Sequence, residues 1–148
     1  MEFEFEFEFE LEINRIGFNH TFMKKIITTN NAPAPIGPYN QAVLSGNTLY
    51  ISGQIPIDPA TGKLVEGDIA KETKQSMENL KAILTAAGMT FENVVKTSIF
   101  IADMNQFAEI NAVYATYFNA ETAPARETVE VANLPKFVNV EISMIAVL

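Results

Sequence analysis

Residues 68–101 read DIAKETKQSMENLKAILTAAGMTFENVVKTSIFI, and the change of hydrophobic period inside them decides the fold. Thr73, Met77, Leu80, Leu84 and Ala87 recur at intervals of three and four, the spacing of one helical face. Asp68 is suited to cap the first turn of that helix and Gly88 to end the last. From Val94 to Ile101 the residues turn β-branched and aromatic, which predicts a strand with at least one buried face. Further on, Asp103 or Asn105 can cap a second helix, in which Phe107, Ile110, Tyr114, Tyr117 and Phe118 hold helical spacing. Strands follow at Thr128–Val131 and Val138–Val147, separated by Asn133-Leu134-Pro135-Lys136.

Upstream, Ala42–Leu44 and Leu49–Ser52 flank Ser45-Gly46-Asn47-Thr48 and read as a hairpin, with Gly and Asn available for positive φ. Before it come a β-prone start at Ile26–Thr29 and a loop dense in breakers over residues 30–38; after it, Pro56, Pro59, Gly62 and Gly67 mark a long irregular excursion. The order β-β-α-β-α-β-β with two one-faced helices predicts an α+β two-layer sandwich, one mixed sheet with both helices on one face. In the last strand Val140, Ile142 and Met144 alternate with Glu141, Ser143 and Ile145, so the second sheet face stays partly apolar and is expected to be buried by other subunits.

The chain has 148 residues, enough for one domain with a single core. Residues 2–13, EFEFEFEFELEI, alternate strictly and hold six of the 18 acidic side chains, so the net charge of -8 belongs mostly to them. This low-complexity stretch reads as a leader, residues 1–22, ahead of a start at Met23, with a domain over 23–148. An amphipathic strand with a Phe face also invites pairing with other copies. A solvated extension is the plainer alternative.

Elimination narrows the chemistry. The chain has no Cys, which excludes disulfides, thiolate metal sites and cysteine nucleophiles. Its one histidine, His20, lies in the leader, which disfavours a catalytic triad, a histidine metal site and a histidine base in the domain. Residues 23–148 carry 12 acidic and nine basic side chains, which argues against nucleic acid as a partner. No glycine cluster opens a helix as a nucleotide loop does, and no apolar run reaches the roughly 18 residues of a membrane span. A cytoplasmic location is expected.

What remains is a small set of polar residues. Residues 23–148 hold eight lysines but one arginine, Arg126, in Ala123-Pro124-Ala125-Arg126. A guanidinium offers the planar fork that grips a carboxylate, although an ion pair with a strand neighbour such as Glu130 would also account for it. Glu141, flanked by apolar residues, can orient a water or move protons if partly buried, or is simply the polar position of an alternating strand. Tyr39 and the pair Ser52-Gly53 offer a hydroxyl, a backbone donor and close backbone approach, or reflect loop and bulge geometry. Asn111 is either a buried cap or a ligand contact, while Tyr114, Tyr117 and Phe118 read as core ahead of a stacking platform.

Three blocks in order, Gly37-Pro38-Tyr39-Asn40-Gln41-Ala42, Ile51-Ser52-Gly53-Gln54-Ile55-Pro56 and Pro124-Ala125-Arg126 followed by Val129-Glu130-Val131-Ala132-Asn133-Leu134-Pro135, resemble the RidA (YjgF) family of reactive intermediate deaminases. The resemblance covers residues 23–148. It implies a chorismate-mutase-like fold assembled as a homotrimer with ligand clefts between subunits, hydrolysis of 2-imino acids to 2-oxo acids and ammonia, and no metal or organic cofactor. By resemblance Arg126 falls on the carboxylate-binding position and Glu141 on the acidic residue associated with water, with Tyr39, Ser52, Gly53 and Asn111 as other cleft positions. Thr128 stands where many members have cysteine, so only its backbone N–H carries over. A non-catalytic binder of small 2-oxo acids is the alternative, and RNA cleavage a third reading that the acidic domain and absent histidine disfavour.

Overall fold

In the computed structural model, which describes residues 23–148, the chain runs β1 (Lys25–Ile27), β2 (Ala42–Ser45), β3 (Thr48–Gln54), α1 (Ile69–Ala86), β4 (Val94–Ile101), α2 (Phe107–Ala115), β5 (Ala125–Glu130) and β6 (Val140–Val147). The readings of residues 1–22 lie outside the described residues. Six strands form one sheet in the order β1-β2-β3-β6-β4-β5. It is mixed: β4 and β5 are parallel and every other pair is antiparallel. The β-prone start is thus a sixth strand, Lys25–Ile27, paired with β2 at the sheet edge.

The period change is realised as read. Asp68 Oδ1 accepts from the Lys71 N–H at 3.1 Å and Gly88 leaves the helix at φ +72, a left-handed position that glycine fills without a Cβ clash. In the hairpin, only Gly46 takes a positive φ, +61, the first of the two turn residues, as a II′ turn requires. Leu49, Met77, Leu80, Ile83, Ile99, Ile101, Ile110, Ile142 and Met144 fill the layer between sheet and helices. Truncating one of them, Leu80 to Ala, carries a cost of about 3 kcal/mol through lost contacts and the cavity left behind.

Two elements differ from the pattern. Asp103 caps a single 3₁₀ turn, Met104–Gln106, and α2 follows it without a side-chain cap of its own. Tyr117 and Phe118 lie past the end of α2 and pack edge-on against Phe91, with ring centroids 5.1 and 5.3 Å away. The second difference is β5, which begins at Ala125 because parallel pairing with β4 reaches Lys96 opposite it; Arg126 therefore sits inside a strand.

α1 also buries a polar stripe that hydrophobic periodicity does not reveal. Glu72, Thr73, Ser76 and Asn79 are all at most 2% exposed. Asn79 Nδ2 donates to the carbonyls of Ile55 and Ile57 at 3.2 and 3.0 Å, tying the irregular excursion to the helix. Glu72 accepts from Asn139, the residue before β6, at 3.0 Å. Asn79→Ala leaves the buried Ile57 carbonyl unpaired and the Ile55 carbonyl with only the Ile57 N–H, so its urea midpoint should fall by the equivalent of about 2 kcal/mol with an unchanged m-value at fixed protein concentration. A loss below about 0.5 kcal/mol would mean the excursion is held by packing alone.

Candidate functional site

The sheet sorts the candidate residues into two groups. On β6, Val140, Ile142, Met144 and Ala146 are buried against the helices, so Glu141, Ser143 and Ile145 face the opposite side. On β5, Glu127 meets Lys96 and Ser98 on that same outer side, which puts Arg126 and Thr128 on the helix side. Arg126 and Glu141 therefore lie on opposite faces within one protomer.

The first group surrounds Arg126. Its Nη1 donates to Asn111 Oδ1 at 2.8 Å, and its guanidinium carbon sits 4.9 Å from the Tyr114 ring centroid and 5.8 Å from that of Phe107. No carboxylate among the described residues pairs with it. The ion pair with Glu130 is not made: Glu130 Oε2 instead accepts from the Met104 N–H at 2.6 Å. Arg126 is exposed, so a guanidinium with no carboxylate partner among the described residues sits over an aromatic ring and open to solvent. The edge of β5 adds a donor. Val131 N–H donates to the Ile101 carbonyl at 2.9 Å, and peptide groups alternate along a ladder, so those of Arg126 and Thr128 point to the open edge. Thr128 Oγ1 is buried without a hydrogen-bond partner among the described residues, so the side chain as well as the backbone N–H bears on this group.

The second group surrounds Glu141. Ile51 pairs with Met144 and Gln54 with Ile142, so β3 carries one extra residue at Ser52-Gly53, a bulge. A Cβ on Gly53 would stand 2.8 Å from Glu141 Cδ and overlap its carboxylate, so glycine here is a requirement of close approach. Ser52 Oγ donates to the Asn40 carbonyl at 2.6 Å and fixes the loop that carries Tyr39. The Tyr39 hydroxyl accepts from the Ile36 N–H at 3.2 Å and its ring is exposed. Burial pushes the Glu141 carboxyl above the usual carboxylate range.

The profile of the Endoribonuclease L-PSP family matches residues 29–148. The chain belongs to the RidA/YjgF family. It is 56% identical over 124 residues to a RutC family protein of Pyrococcus horikoshii, covering 84% of this chain and 98% of that one. It is 50% identical over 127 residues to the mouse 2-iminobutanoate/2-iminopropanoate deaminase, covering 86% of this chain and 93% of that one. The YjgF gene product of E. coli superposes with a TM-score of 0.78 at 50% identity over 83% of this chain and 98% of that one. E. coli TdcF, crystallised with bound serine, gives 0.80 at 46% identity over 84% and 99%. No helix of the described residues is long and apolar enough to cross a membrane.

The RidA-family fold brings Arg126 and Asn111 together with Thr128 on the same face of β5, and separately sets Gly53 against Glu141, with Ser52 bonded to the loop that carries Tyr39. Sequence reasoning missed the contact of Phe107 and Tyr114 with Arg126; their i, i+7 spacing with Asn111 between them was the available signal.

Two outcomes follow. Gly53→Ala displaces the Glu141 carboxylate while leaving the core intact, so a folded variant should lose at least tenfold in any activity that uses Glu141, about 1.4 kcal/mol. A raised carboxyl pKa means the folded chain keeps a proton that the unfolded chain releases near 4.5, so this residue's contribution to stability declines as pH rises through that window. Stability of Glu141→Gln relative to the parent should therefore increase between pH 4 and pH 7, measured by urea unfolding; a constant difference contradicts the burial of this carboxyl.

Proposed function

We propose that this RidA-family protein hydrolyses small 2-imino acids to 2-oxo acids and ammonia, at sites shared between the subunits of a homotrimer. The observation that carries the reading is the exposed, carboxylate-free guanidinium of Arg126, fixed by Asn111 and Tyr114 beside an open strand edge. It suits the carboxylate of a 2-imino acid, gripped by the guanidinium with the Thr128 N–H in reach. Relatives about half identical carry the deaminase name, and the serine bound to TdcF is itself a small α-carboxylate compound.

An iminium carbon is already electrophilic, so the protein's part is placement and proton transfer. Water adds to C2 as Glu141 accepts its proton, giving a carbinolamine. Glu141 returns that proton to the amino nitrogen, and the C–N bond breaks as the hydroxyl oxygen keeps its electron pair to form the ketone. The carbinolamine hydroxyl proton leaves with the nitrogen as ammonium, so iminium and water become 2-oxo acid and ammonium. A carboxyl shifted upward is closer to the pH at which it both accepts and donates.

The two groups face opposite sides of the sheet, so one substrate meets both only if Arg126 of one subunit faces Glu141 of the next. The outer sheet face supports such packing. Ile26, Val43, Tyr50 and Ile145 align in register across four strands, and Tyr50 is 51% exposed in the single chain. Because the Arg126 group is complete for carboxylate binding without Glu141, a non-catalytic 2-oxo-acid binder is the second reading. Coupling to a threonine dehydratase, with semicarbazide competing for the imine, separates the two.

Wild type should accelerate 2-oxobutanoate formation, and Arg126→Ala should lower kcat/KM about 100-fold, the scale of a lost charge-assisted pair. Arg126→Ala and Glu141→Gln, each inactive alone, should recover about a quarter of the wild-type rate when refolded together, the fraction of interfaces at which random mixing joins two intact halves. No recovery from a mixture that forms trimers argues against a shared site, and binding of 2-oxobutanoate without turnover argues for the sensor.

A further inference from the structure

Arg126 is one of two arginines in the chain, and no carboxylate among the described residues holds it. A free guanidinium on an edge strand would normally sample many rotamers, losing side-chain entropy each time a ligand is gripped. Here two aromatic rings of α2 lie within cation–π distance of it. Phe107, Asn111 and Tyr114 lie on one face of α2, and the Tyr114 ring lies nearest, 4.9 Å from the guanidinium carbon against 5.8 Å for Phe107. The Tyr114 ring is itself anchored. Tyr114 is 5% exposed, and its hydroxyl donates to Thr97 Oγ1 at 3.1 Å. Thr97 is fully buried and is the β4 residue paired with Arg126 in the parallel register, so the anchor and the guanidinium's own backbone belong to the same rung of the sheet. The ring makes a second aromatic contact with Phe118, centroids 4.8 Å apart, which closes it in.

We propose that Tyr114 is the positioning residue of the carboxylate site: its ring is the platform that pre-orients Arg126, and its hydrogen bond to Thr97 fixes the platform to the rung from which Arg126 projects. This deepens the reading given under Proposed function and rests on it for the identity of the ligand. Asn111 holds one edge of the guanidinium through Nη1 and the ring supports its face, which leaves the remaining N–H groups for a ligand's carboxylate. The role calls for tyrosine on two counts. A leucine has no π face for the cation, and a phenylalanine has the face but no tether.

The test combines steady-state kinetics with NMR of the arginine side chain, which needs no ligand. In wild type the Arg126 side-chain protons should carry an upfield ring-current shift. Tyr114→Leu should abolish that shift and raise KM for the 2-imino acid about tenfold while kcat changes less, because the lost element orients a binding group. Tyr114→Phe and Thr97→Val should each keep the shift in part and raise KM about two- to threefold, and the double variant should add nothing to either, since both remove one hydrogen bond. Thr97→Val is close to isosteric and keeps the proposal open to test where Tyr114→Leu does not fold. Tyr114→Leu with unchanged Arg126 resonances and unchanged KM overturns the proposal, as does a fall in kcat alone. Wild type without turnover, but with the ring-current shift lost in Tyr114→Leu, refutes the deaminase reading and leaves the positioning role standing.

Discussion

Side chains on a strand alternate between faces, and that alternation places Arg126 and Glu141 on opposite sides of one sheet. Every other feature of the site follows from it. Because β6 buries Val140, Ile142 and Met144, Glu141 must look outward; because Glu127 is engaged by Lys96 and Ser98 on the outer side, Arg126 must look towards α2. No rotamer change joins the two across the sheet. A single chain thus carries two separate groups, a guanidinium with no carboxylate partner among the described residues on one face and a partly buried carboxyl on the other, which the proposed reaction uses as two half-sites.

The finish of the half-sites is expressed in unusual local choices. Gly53 lies in a β-bulge where a Cβ would overlap the Glu141 carboxylate, so the strand gives up regular pairing to bring a backbone against an acid. Ser52 contributes its hydroxyl to a loop carbonyl, which makes it a support for the Tyr39 loop through Asn40. On the other face, Arg126 trades the acidic neighbour expected of a surface arginine for an amide and a ring. Glu130, the neighbour within reach by sequence, caps the backbone at Met104 instead. An arginine neutralised by Glu130 would have no reason to bind a ligand's carboxylate.

Much of this was legible in the sequence. The switch from helical to strand period across residues 68–101 located α1 and β4, because burial of one face leaves a periodic trace. The sole arginine of the domain stood out by composition, and the Ser52-Gly53 pair by its backbone freedom. Three things left no such trace. β5 starts at Ala125, three residues before the strand read from hydrophobicity, because an exposed edge strand has little apolar pattern and parallel pairing set its start. The buried stripe Glu72, Thr73, Ser76 and Asn79 is polar, so a hydrophobic reading assigned that face of α1 only in part; its burial depends on carbonyls of a distant loop and on Asn139. Tyr114 read as core, which it is, and its second use under the guanidinium depends on a strand pairing that spacing alone does not disclose. The resemblance to the RidA family, by contrast, named candidate residues but not their division between faces.

The proposed reaction requires that one ligand bridge Arg126 of one subunit and Glu141 of its neighbour. A crystal structure of the assembled protein with 2-oxobutanoate tests it most directly. In that complex the carboxylate should lie on the Arg126 guanidinium and the C2 carbonyl carbon should face a Glu141 carboxylate that belongs to an adjacent chain. A ligand whose contacts all come from one protomer, or one bound away from Arg126, would contradict it.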